Sequence, residues 1–98
     1  METRTQQLNK YYHAHLQDFH SQARARYMTV LGFDQFKQEL KKLDEHYPKQ
    51  DGKVISTAKC TNKQLCEHIE FVLAFAGYYG ITTKISAAEW DRLLKQIH

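Results

Sequence analysis

The chain predicts an all-α fold, a compact bundle of about four helices, and three observations carry that expectation. Residues 61–80 are apolar on nearly every side, as a helix in the middle of a bundle or in an interface must be, because a surface helix keeps one face polar. Only four Gly and one Pro occur in 98 residues, too few turn-formers for a fold of many short strands. Elsewhere the apolar residues recur at three- and four-residue intervals, the period of a helical stripe. The length supports one domain over residues 1–98 with room for a single core.

A first helix is expected over residues 5–31, where Leu8, Tyr12, Leu16, Phe19, Ala23, Tyr27 and Val30 fall on one stripe. Gly32 is expected as its left-handed stop. Asp34 is the expected N-cap of a second helix over residues 34–46, buried through Phe36, Leu40, Leu43 and then Tyr47, and Pro48 forbids its continuation. These two helices should form an antiparallel hairpin.

Pro48 followed by Asp51 and Gly52 has the chemistry of a turn inside the domain. Val54 and Ile55, and residues 81–85, are β-prone and are the candidates for a minor two-stranded ribbon. Thr61 with Gln64, and Ser86 with Glu89, have capping-box spacing and place two helix starts. The central helix carries Leu65, Ile69, Val72, Leu73 and Ala76 on one face, with Phe71, Phe75, Tyr78 and Tyr79 filling much of the rest. A last helix over residues 87–97 aligns Trp90, Leu93, Leu94 and Ile97 to cover it.

Several function classes are excluded on residue chemistry. The longest apolar run, residues 71–76, is far short of the roughly 20 residues a bilayer requires, and the first residues lack the apolar stretch of a signal peptide. The expectation is therefore a soluble, cytoplasmic protein without membrane contact. Cys60 and Cys66 are expected as free thiols, Cys66 as a small buried hydrophobe. Their spacing with His68 does not match structural zinc sites, so no metal and no cofactor is expected. His13 and His20 share a face but stand about 10 Å apart along the axis, and His15 lacks a second His four residues on. Asp44 with Glu45, and Glu67 with Glu70, read as solvated faces. No phosphate loop, nucleophile elbow or dinucleotide fingerprint is present. An enzyme would need His13, His20 or His68 to meet a carboxylate in a cleft, and the expectation is a protein without catalytic activity.

Charge and aromatic content point to binding. The net charge is +3, and residues 49–63 concentrate Lys49, Lys53, Lys59 and Lys63 against Asp51 alone. With Lys10 and His20 on the first helix, they are the candidates for contact with nucleic acid or an acidic partner. Six Tyr, five Phe and one Trp are more than so small a core can hide, and one member of each pair Tyr11/Tyr12 and Tyr78/Tyr79 should face outward. Tyr11, Phe71, Phe75 and Tyr78, with Arg24 and Arg26, are the candidate protein-binding residues, being of the types that dominate interface energetics. The sequence thus favours a small non-enzymatic adaptor or inhibitor that docks on a larger protein or on its own copy through aromatic and basic helical surface. The alternative is an accessory factor, or a phage or mobile-element inhibitor of the anti-CRISPR kind, that obstructs a nucleic-acid-processing complex by occupying its nucleic-acid or partner site.

Overall fold

The computed structural model describes residues 4–27, 31–81, 90–92 and 95. Helix α1 spans Arg4–Tyr27 and α2 Phe33–Leu43; a ribbon of β1, Lys49–Gln50, and β2, Lys53–Val54, follows; a single 3-10 turn, Thr57–Lys59, leads into α3, Asn62–Tyr78. Residues 90–92 and 95 are helical too. The expected helical bundle with a minor ribbon is therefore the observed architecture. The second capping box, most of the last helix and residues 82–85 lie outside the described residues.

Ring contacts fix the directions of the helices. Tyr12 meets His68 with ring centroids 5.4 Å apart and Phe19 meets Phe75 at 6.2 Å, so α1 and α3 run parallel. Phe19 meets Phe36 at 5.0 Å while His20 meets Phe33 at 5.8 Å, so α2 runs antiparallel to α1, as its hairpin connection requires. The core gathers Leu8, Tyr12, Leu16, Phe19 and Ala23 from α1, Phe36 and Leu40 from α2, and Leu65, Ile69, Val72 and Ala76 from α3, closed by Tyr47, Ile81 and Trp90. Of the expected stripes, Leu8, Tyr12, Leu16, Phe19 and Ala23 of α1 and Leu65, Ile69, Val72 and Ala76 of α3 are core residues; Leu73 is half-buried, and Val30 and the Tyr27 side chain lie outside the described residues.

Both ends of α3 are built from local sequence. Thr61 Oγ1 accepts from the Gln64 backbone N–H at 3.1 Å, and Gln64 Oε1 accepts from the Thr61 backbone N–H at 2.9 Å, satisfying two donors that a helix start leaves open. At the other end the N–H groups of Gly80 and Ile81 donate to the carbonyls of Gly77 and Ala76 at 3.0 and 2.9 Å. Gly80 takes the left-handed φ of 71° that this Schellman closure needs, and Ile81 is tucked into the core. Replacing Thr61 by alanine is expected to cost about 1 kcal/mol and to lower the melting temperature by about 4–8 °C, measurable by thermal circular dichroism.

Five local expectations are corrected. Gly32 is not left-handed: at φ −68° it is the N-cap of α2, without a side-chain bond, and Asp34 lies inside the first turn. Helix α2 ends at Leu43, not near residue 46, because Asp44 competes for the backbone. Its Oδ1 accepts from the His46 N–H at 3.0 Å, a short side chain mimicking a turn. The buried line then runs Phe36, Leu40, Asp44, Tyr47, and Leu43 is left 54% exposed. Val54 does enter a ribbon, but its partner is Lys49 across the Asp51–Gly52 turn. Both turn residues have positive φ, 52° and 77°, the geometry that favours Asp-Gly in two-residue hairpins. Ile81 is buried outside any strand.

Candidate functional site

A polar network sits inside the hydrophobic core. Asp44 Oδ2 lies 2.8 Å from His68 Nδ1, and Tyr12 Oη lies 3.1 Å from His68 Nε2. The neutral tautomer with the proton on Nδ1 satisfies every member: Tyr12 donates to Nε2, Nδ1–H donates to Asp44, and Asp44 takes its other donor from the backbone of His46. Tyr12 comes from α1, Asp44 from the cap of α2 and His68 from the second turn of α3, so the network ties three helices at one level. The Tyr47 ring meets the imidazole edge-on at 4.6 Å. Its hydroxyl donates to the Ile55 carbonyl at 2.6 Å, and Cys60 Sγ reaches that hydroxyl at 3.6 Å. The ribbon is thereby fastened to the same centre.

Asp, His and a hydroxyl in series form the orienter, base and nucleophile order of covalent catalysis, yet this geometry does not present a reactive group. Tyr12 is wholly buried and His68 is 1% exposed. Burial, with Cys60 and Asp44 adding to it, pushes the Tyr12 phenol well above its ordinary range, so the hydroxyl stays protonated. Burial lowers the His68 pKa, against the pull of the Asp44 carboxylate. The arrangement clamps helices together. Cys60 and Cys66 are both buried free thiols, and burial raises the Cys66 thiol further, with Glu70 and Glu67 adding to it. Among the described residues no three His, Cys, Asp or Glu side chains gather as a metal site.

The candidate protein-binding residues divide. Tyr11 is withdrawn into the core against Trp90, with centroids 5.1 Å apart, so neither member of the Tyr11/Tyr12 pair faces outward. The reason is that α1 is covered on two sides, by α3 and by the segment carrying Trp90. At the far end of α3 the opposite holds: Tyr78 is 84% and Tyr79 42% exposed. Rings lead outward from the core in series, from Phe71 to Phe75 at 5.9 Å, Phe75 to Tyr79 at 5.3 Å and Tyr79 to Tyr78 at 5.2 Å. Phe71 and Phe75 are half-buried. Arg26 Nη1 donates to the Gly80 carbonyl at 3.0 Å, which brings the last turn of α1, with exposed Arg24 and Arg26, beside this aromatic end.

The basic candidates divide as well. Lys10, Lys49, Lys53, Lys59 and Lys63 are exposed. His20 is buried, meets the Phe36 ring at 5.1 Å and lies with Nε2 2.8 Å from the Leu31 carbonyl, to which it donates; it tethers the α1–α2 connection and offers no surface contact. Two residues sequence reasoning passed over are Asp44, placed on a solvated face, and Lys41, which is 3% exposed.

These features define a small helical domain whose titratable cluster is internal and whose exposed aromatic and basic groups lie elsewhere. No family model, curated protein or solved structure matches the chain. Among the described residues no helix is long and apolar enough to cross a membrane.

Proposed function

We propose that this chain is a small, non-enzymatic binding module that docks on a larger protein through the aromatic end of α3 and the adjoining last turn of α1. The observation that carries the reading is Tyr78, almost fully exposed at the end of a packed series of rings. A side chain backed by Tyr79, which itself packs on Phe75, loses less freedom on binding than an isolated one, and large aromatic area with an arginine alongside is the composition of interface hot spots. Arg24 and Arg26 beside the rings suit a partner surface with an apolar pocket rimmed by carboxylates. The absence of a reactive role for the buried Tyr12, His68 and Asp44 supports a function by contact. Exposed lysines on the ribbon and before α3 favour the second reading, obstruction of a nucleic-acid-processing complex, in which phosphate neutralisation would supply the contact.

Affinity capture from native lysate, with and without nuclease, separates the two when run with Tyr78→Ala and with Lys53, Lys59 and Lys63 reversed to Glu. A protein retained after nuclease and weakened about 30-fold by Tyr78→Ala, the loss of a typical hot spot of about 2 kcal/mol, is the expected result. Retention unaffected by Tyr78→Ala but abolished by nuclease or by lysine reversal would transfer the function to the basic surface.

A further inference from the structure

A groove of about 450 Å³ runs between α2 and residues 54–58, with Asn9 and His13 of α1 forming its floor. Lys37 and Lys41, one helical turn apart on α2, both line it, and no carboxylate does among the described residues. Lys41 is the unusual member. It is buried, its Nζ lies 3.4 Å from the Ile55 carbonyl and 5.5 Å from the centre of the Tyr47 ring, and no carboxylate stands within ion-pair distance of it among the described residues. A buried ammonium in such surroundings is costly unless an anion completes it. A second lysine four residues away on the same helix adds like-charge repulsion. The cost is visible in Lys41 itself, whose pKa is lowered by burial and then by Lys37.

The rest of the wall is polar and held in place. Thr57 Oγ1 donates to Asn9 Oδ1 at 2.9 Å, and His13 Nδ1 donates to the Asn9 carbonyl at 2.8 Å, which fixes the positions of all three side chains. Lys41, Lys37, whose Nζ also lies 5.9 Å from the centre of the Phe33 ring, and Ser56, whose hydroxyl oxygen accepts from the Ala58 N–H and keeps its own proton to donate, line a concave space of this size, and such donors suit a tetrahedral oxyanion.

We infer that this groove is a binding site for the phosphoryl group of a small phosphorylated molecule, held between Lys41 and Lys37. The anion removes the repulsion between the two lysines and gives the buried ammonium its counter-charge, so binding stabilises the fold as well as the complex. The site is separate from the aromatic end of α3 and does not depend on the docking proposed there.

Amide ¹H–¹⁵N spectra of the whole chain test this, titrated separately with inorganic pyrophosphate, ADP, adenosine and a short single-stranded oligonucleotide, at constant ionic strength. Pyrophosphate and ADP at millimolar concentration should shift the amides of Asn9, Lys37, Lys41 and Thr57 and raise the melting temperature, and adenosine should do neither. Lys41→Met, which keeps the stem and removes the charge, should weaken binding about tenfold or more and melt no lower than the parent without ligand. Lys37→Met, at a half-exposed position, gives the same test where folding is not in question. Retained ADP binding in both variants, or the absence of shifts at these amides, would overturn the site. Response to pyrophosphate without ADP would point to free phosphate species as the source, still within the inference. Response to the oligonucleotide alone would overturn it in favour of a strand-binding surface.

Discussion

Replacing His68 with alanine is expected to destabilise the domain by about 3–5 kcal/mol, the range for breaking a buried charged hydrogen-bond pair from one side. The imidazole fills the space between Tyr12, Tyr47 and Phe71, so its removal opens a cavity among aromatic rings. It also strands the Asp44 carboxylate, whose side chain is 7% exposed, and deprives the Tyr12 hydroxyl of its acceptor. Domains of this size rest on about 5–15 kcal/mol in total, and the melting temperature should fall by about 15–30 °C. Tyr12→Phe, which removes one neutral hydrogen bond, should cost about 1 kcal/mol. Tyr12 and Asp44 meet only through the imidazole between them, so a double-mutant cycle of Tyr12→Phe with Asp44→Asn should show a coupling of at least about 0.5 kcal/mol. Additive losses, together with a His68→Ala protein that melts within about 5 °C of the parent, would mean that the three helices are held by apolar packing alone.

The parts of this fold legible in the sequence are those that local periodicity or a local bond decides. The stripes of α1 and α3 repeat over many turns, the Thr61–Gln64 reciprocity spans three residues, and Asp51–Gly52 names its own turn. The network was not legible because its members are far apart in sequence: Asp44 and His68 by 24 residues, Tyr12 and His68 by 56. His68 was recognisable as a histidine in need of a carboxylate. Asp44 was hidden by an error of three residues in the end of α2, which exchanged it with Leu43 on the buried line. The same kind of ambiguity moved Tyr11 and His20 onto the surface: a single stripe predicts one covered side for α1, whereas α2, α3 and Trp90 cover more than one. Lys41 was unreadable for a different reason. Its charge argues for solvent, and only the return of residues 54–58 over α2 buries it.

Acidification should destabilise this protein before its carboxylates are all protonated, and His15 is a principal cause. It is buried on α1 between Tyr11 and Phe19, with ring centroids 6.4 Å away on either side. Burial lowers its pKa from 6.5 to about 4, with nearby Asp18 opposing the shift. About a unit or more above pH 6.5 the ring is neutral in both states and contributes no pH dependence. Between about pH 6.5 and 4 the unfolded chain binds a proton that the folded chain refuses, so stability falls with falling pH by up to about 1.4 kcal/mol per unit. The full window amounts to at most about 3.5 kcal/mol from His15. His68 acts in the same direction, since its pKa is also lowered by burial, while the Asp44 carboxylate holds part of that effect back. Urea unfolding followed at several pH values from about 7 to 4.5 should show this slope, and His15→Phe, which keeps the ring contacts and removes the titration, should flatten most of it. An unchanged slope in His15→Phe would shift the acid response to His68. Its signature would then be a loss of slope in His68 variants, whose stability at neutral pH is already reduced by the broken network.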